Sequence, residues 1–273
     1  MKYDSEQVAA FYDVFSEKEW NRLTKDPAAL VALHIHRHYL QEYVRSGDLV
    51  LEVGAGAGRF TIELAKLGAA ITVGDISDEQ LRLNRKYVTQ YESEASIVSR
   101  QKLDITNLGM FEANSFDVVV CYGGALSYVL EQADTALAQM RKVLKPEGYL
   151  LLSVMSLVGT THKFFESITA EANFTQLVNR VNRNGFLDGR TNNGHQLKMY
   201  RARELRQLLE ASIFEVVAMS ASNCLSLKRN KFLEQNLLTT DAWHDFLQWE
   251  LDFCAEDGCL DNGTHTIAVA RKV

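Results

Sequence analysis

Along the chain the apolar positions change rhythm once, near Gly47-Asp48. Before that point, residues 5–20 and 28–45 carry apolar side chains at helical spacing. Asp26-Pro27 opens the second stretch as a cap followed by proline in the first helical turn. After it, short runs that are apolar almost throughout alternate with amphipathic stretches. The runs predict strands over 49–54, 70–75, 97–104, 116–122 and 149–155, with helices over about 59–67, 78–92 and 131–144 between them. Unbroken apolar runs are what parallel strands require when both faces of their sheet are covered. Ser77-Asp78-Glu79-Gln80 reads as a capping box at the start of the second of these helices, and Gly68 as the C-terminal cap of the first.

Residues 156–200 interrupt the alternation with a mixed, partly helical stretch. It resumes as a helix at 202–211, a strand at 214–220, a helix at 240–256 and a strand at 264–270 after an Asp-Asn-Gly turn. Repeated β-α-β units predict a doubly wound α/β fold. Its sheet is expected to be mostly parallel and seven-stranded, with the last strand antiparallel. Residues 1–46 would form an N-terminal helical lid, 47–155 and 201–273 the core, and 156–200 an insertion after strand 5 that caps the substrate. Ala211-Ser212-Ile213-Phe214 has no glycine at the helix exit, which predicts that no left-handed cap forms there.

Such sheets bind ligands at the carboxyl ends of their strands, where the first loop reads LEVGAGAGRF (51–60). A phosphate-binding P-loop is excluded because no Gly-Lys-Ser/Thr follows. A dinucleotide loop wants a small third residue three positions after the second glycine. Counting from Gly54 and Gly56, that position is Arg59, whose bulk opposes close helix–strand packing.

The run instead resembles the acidic-x-Gly-x-Gly-x-Gly loop of class I S-adenosylmethionine-dependent methyltransferases, with Glu52, Gly54, Gly56 and Gly58 in register. Asp75 at the end of the second strand and Asp104 at the end of the third fit the same layout, as does Pro146-Glu147-Gly148 before the fifth, where the family usually has Pro-Gly-Gly. The resemblance covers residues 49–155. It implies S-adenosylmethionine as cofactor, with Gly54, Ala55, Gly56 and Gly58 under it. It places Glu52 at the methionine end, Asp75 and Ile76 at the ribose, Asp104 and Ile105 at the adenine, and Cys121 and Tyr122 beside it.

The loop after strand four, CYGGALSYV, lacks the Asn/Asp-Pro-Pro-aromatic pattern of many base-amine methyltransferases. The layout resembles the bacterial small-molecule group. Transfer from an activated methyl mostly requires alignment and desolvation of the acceptor, so a general base is optional. Candidate catalytic residues are Tyr128 and His162. Tyr12, Trp20, Tyr128, His162 and His195 are expected to line the substrate pocket, with Tyr122 and His265 as further candidates near its mouth.

His34 and His38 stand at i, i+4 spacing, but two ligands are not a site, and no metal is expected. Residues 180–206 hold seven basic side chains against Asp188 and Glu204; a solvated, internally paired face is favoured over a patch for an anion or RNA. The net charge of −6 argues against a general nucleic-acid surface. No apolar run approaches the ~18 residues of a membrane span, no secretion signal opens the sequence, and the four cysteines show no Cys-x-x-Cys pair. These readings predict a cytoplasmic protein with a small-molecule partner. RNA methylation and non-catalytic binding of S-adenosylmethionine stay open as alternatives.

Overall fold

The computed structural model describes residues 2–189 and 196–273. The chain opens with α1 (Ser5–Phe15), α2 (Glu17–Asn21) and α3 (Pro27–Tyr43). The core follows as β1 (Leu49–Val53), α4 (Arg59–Lys66), β2 (Ala70–Asp75), α5 (Asp78–Gln90), β3 (Ile97–Lys102), β4 (Phe116–Cys121), a short α6 (Ala125–Tyr128), α7 (Ala133–Val143) and β5 (Leu144–Met155). Next come α8 (Leu157–Thr169), α9 (Phe174–Asn184) and the paired β6 (Phe186–Asp188) and β7 (Gln196–Lys198). The chain ends with α10 (Ala202–Ala211), β8 (Phe214–Ala221), α11 (Asn230–Asn236), α12 (Ala242–Ala255) and β9 (His265–Lys272).

Seven strands form one sheet in the order β3-β2-β1-β4-β5-β9-β8. The first five pair in parallel, while β9 runs against both its neighbours, β5 and β8. The final strand thus enters between two strands laid down earlier. Alternate side chains of each strand feed separate cores on the two faces. Cys121, Leu152 and Ala268 lie in one, Val120, Tyr122 and Leu151 in the other. Covering both faces explains why the central strands read as continuous apolar runs.

Three local readings are corrected. The first helix is not continuous over 5–20: Ser16 sits at φ 44°, a conformation that a right-handed helix cannot pass through, and so closes α1 and opens α2. Ile213 does take the left-handed conformation, at φ 61°, despite its branched side chain; the turn into β8 requires it. Residues 230–236 form α11, where no element is expected from the apolar spacing.

Candidate active site

The carboxyl ends of β1, β2 and β4 surround a cavity whose floor is the loop Gly54–Ala57. Gly54 and Gly56 take positive φ, 66° and 54°, which removes most other residues from consideration. A Cβ on Gly54 would come within 2.7 Å of the Ala125 Cβ, so the loop after β4 can approach only bare backbone. The Gly56 amide donates to Asp75 at 2.8 Å, and the Ser77 amide donates to the other oxygen at 2.9 Å. Burial pushes the Asp75 carboxyl up to about 6, opposed by those two amide hydrogen bonds. Ile76, Leu103, Ile105 and Tyr122 complete the wall.

Four residues that the resemblance places around the cofactor do not line this cavity. Glu52 lies behind the loop, fully buried, and accepts from the Thr61 hydroxyl at 2.6 Å; Thr61 in turn accepts from Asn84. Burial raises the Glu52 carboxyl to about 8, with Asp75 adding to the effect. Gly58 caps α4 at φ 94° and packs on Asn84. The Asp104 carboxylate accepts from the Tyr3 hydroxyl at 2.9 Å, and it is Tyr3 that faces the cavity. Cys121 points to the opposite face of β4 from Tyr122, where burial pushes its thiol up to about 12.

The N-terminal helices close the front of the cavity. Trp20 stacks on Tyr87 of α5 at a centroid distance of 3.8 Å, and the Arg59 guanidinium covers its other face at 3.6 Å. Tyr12 packs edge-on against Tyr128 at 5.7 Å, and their hydroxyls share a hydrogen bond. Burial raises the pKa of both phenols, so both are protonated at neutral pH. Arg22 is clamped by Glu19 through contacts of 2.7–2.9 Å and lies against Gly123.

Behind Tyr12, Arg22, Gly123 and Tyr128 lies a second, polar cavity. His36 faces it, 3% exposed, with Nδ1 at 2.7 Å from the Ala32 carbonyl. A carbonyl can only accept, so Nδ1 carries the proton and the buried Nε2 is left as an acceptor without a partner among the described residues. Burial lowers the His36 pKa to about 4, leaving the ring neutral. His265 also faces this cavity, and burial together with Arg22 holds its pKa well below the usual histidine value. Asn223 borders it from a loop anchored by Glu250, whose fully buried carboxylate accepts from the amides of Cys224, Leu225 and Ser226.

Tyr12 and Tyr128 border both cavities, and Trp20 only the first. His162 is exposed and borders a third, apolar cavity, while its neighbour Lys163, about 100° further around α8, enters the polar one. His195 lies outside the described residues. Sequence reading passed over His36 for its neighbours. His34 is half-buried, His38 pairs with Glu42 at 3.4 Å on the outer face, and only His36 falls on the buried stripe that includes Ala29 and Leu40. That apolar periodicity was the available signal.

The first cavity suits S-adenosylmethionine. It offers bare backbone at Gly54 and Gly56, a buried carboxylate able to accept from vicinal hydroxyls, and apolar side chains and the Tyr122 ring for a flat ring. A family model described as a methyltransferase domain matches residues 51–152. A Geobacillus sp. (strain WCH70) protein with the provisional name of methyltransferase is 31% identical over 134 residues, 47% of this chain and 51% of its own length. The chain thus spans about half the length of this curated relative. Among solved structures, the [4+2]-cyclase SpnF superposes with a TM-score of 0.62 at 19% identity, covering 100% of this chain and 97% of its own. The Burkholderia thailandensis 1,6-didemethyltoxoflavin-N1-methyltransferase gives 0.60 at 16%, covering 97% and 87%. At such identities the likeness concerns fold alone. Residues 51–152 thus match the methyltransferase-domain family model, and the chain carries the α/β fold of these solved structures, a seven-stranded sheet with its last strand antiparallel.

Proposed function

We propose that the chain transfers a methyl group to a small molecule held in the polar cavity. The observation that carries this reading is the wall of Tyr12, Glu19, Arg22, Gly123 and Tyr128, which borders the cofactor cavity on one side and the polar cavity on the other. S-adenosylmethionine supplies an activated methyl for in-line displacement. The chain's residues then have three tasks: hold the donor, exclude water and aim the nucleophile. Gly54, Gly56 and Asp75 hold the donor. The first two helices act as the lid, fastened through Trp20 and Arg59. The His36 Nε2 accepts the hydrogen of the acceptor's O–H or N–H group and so orients its lone pair. Within the insertion Arg180 pairs with Asp188 at 2.6 Å, and directly after it Arg201 pairs with Glu204 at 3.1 Å and donates to the Asn182 side-chain oxygen at 2.6 Å. Those internal pairs support a metabolite over RNA as acceptor.

Calorimetry with S-adenosylhomocysteine should show micromolar binding that disappears in Asp75→Ala and falls sharply in Asp75→Asn. Incubation with labelled S-adenosylmethionine and a metabolite extract should yield a product that gains one methyl. Tight NADH binding without S-adenosylhomocysteine binding would overturn the cofactor assignment, and donor binding with no methylated product would overturn the activity.

A further inference from the structure

The polar cavity does not end at its own walls. Tyr128, Met155, Thr160 and Phe164 also border a third cavity, which lies under α8 and α9 and is lined by Leu157, Leu177, Val181, Leu197 and Met199. Its volume of about 650 Å³ is within the range of organic-ligand pockets. Val158 and Phe164, at its edge, remain 42% and 46% exposed, as they would not be if protein packing filled the space.

The two chambers differ in charge as well as polarity. Arg22, Lys25 and Lys163 border the polar one against only Glu19 and Asp26, which leaves one positive charge in excess. Arg22 is held by Glu19, and the Asp26 carboxylate is engaged as the cap of α3, accepting from the Ala29 amide at 2.8 Å. Lys163 is half-buried and, among the described residues, has no carboxylate within ion-pair distance. Burial and the neighbouring Lys25 lower its pKa, outweighing the opposing pull of Asp26. A net positive charge beside a chamber that the described residues leave unfilled, apolar but for the exposed Glu171 in its lining, matches a ligand with one negative charge and a hydrocarbon body.

Building on the methyl-transfer reading, we infer that the acceptor is an amphipathic carboxylate, its anionic group meeting Lys163 in the polar cavity and its apolar body filling the cavity beneath α8 and α9. The insertion after β5 then acts as the specificity element: it supplies Lys163 and most of the apolar wall. His36 borders the same polar cavity as Lys163.

The test is binding, which needs no turnover. Hexanoate, octanoate, decanoate and octanol are titrated by calorimetry into the protein, with and without saturating S-adenosylhomocysteine. Affinity for the carboxylates should tighten roughly fourfold per added methylene, and octanoate should bind at least about tenfold more tightly than octanol. Lys163→Met should remove the preference for octanoate over octanol while leaving S-adenosylhomocysteine affinity unchanged. Val158→Glu, at an exposed position, should flatten the dependence on chain length. Equal binding of octanoate and octanol, or no dependence on length, overturns the inference. Absence of S-adenosylhomocysteine binding overturns the methyl-transfer reading instead, while the carboxylate titrations still decide whether the two-chamber site exists.

Discussion

The Arg59 guanidinium lies 3.6 Å over the Trp20 indole and donates a 2.8 Å hydrogen bond to the Trp20 carbonyl. One residue opens α4 directly after the glycine loop, and the other belongs to the N-terminal helices. The residue whose size argues against a dinucleotide loop is therefore the one that fastens the front wall of the cofactor cavity to its floor.

Arg59→Ala should release that wall. Cation–π contacts contribute about 0.5–2 kcal/mol and a hydrogen bond from a charged donor a similar amount, so S-adenosylhomocysteine should bind about tenfold more weakly. Arg59→Lys keeps the charge but not the planar stack, and should recover only part of the loss. Calorimetry on the two variants checks both statements; unchanged affinity in Arg59→Ala would show that the contact does not hold the wall.

A second prediction concerns pH and the carboxyl of Glu52. Its folded value of about 8 lies above the ordinary 4.5. Between those values the folded protein keeps a proton that the unfolded chain has released, so stability falls as pH rises from about 4.5 through 8. Glu52→Gln retains an oxygen to accept from Thr61 and removes the titration. The urea midpoint of the variant should decline less steeply over that window than that of the parent, and the two should diverge most above pH 8.

Much of the architecture was legible because its cause is local. Val50 pairs with Ile71 and Val118 in a sheet covered on both sides, which demands the apolar runs that mark its strands. The glycine loop and Asp75 were legible for a similar reason: backbone approach and hydrogen bonding to adjacent amides need those residue types there. The polar cavity was not legible. It is assembled from His36 on α3, Lys163 on α8, Asn223 after β8 and His265 on β9, residues brought together only by the sheet order. Whether His162 or Lys163 enters it depends on one helical step. Asp104 illustrates the same limit, since the Tyr3 that masks it is 101 residues away in the chain.

At the exit of α10, Ile213 holds φ 61° with its side chain 57% exposed. A branched residue there costs on the order of 1–2 kcal/mol, with no packing to offset it. Ile213→Gly keeps the carbonyl that accepts from Arg141 and should raise stability by roughly 1 kcal/mol, less the entropy glycine adds to the unfolded chain. Denaturant unfolding measures this directly, and a destabilised variant would mean that the side chain contributes contacts which outweigh the strain.

The last prediction separates the two groups that could act on the acceptor's proton. Burial raises the Tyr128 pKa, so its phenol is protonated and cannot serve as a base near neutrality. Tyr128→Phe should therefore lower kcat by less than about tenfold, below the range typical of a lost general base. His36 has a neutral Nε2 with no hydrogen-bond partner among the described residues. With its pKa near 4 rather than 6.5, the unfolded chain takes up a proton on this side chain before the folded protein does. Stability should consequently fall as pH drops from about 6.5 to 4, and His36→Phe should abolish that part of the acid dependence. At pH 7 the same variant should lose at least about tenfold in kcat, more than Tyr128→Phe, with S-adenosylhomocysteine affinity unchanged. A larger loss in Tyr128→Phe, or an acid limb of the rate near 6.5 that disappears with His36, would reverse the assignment.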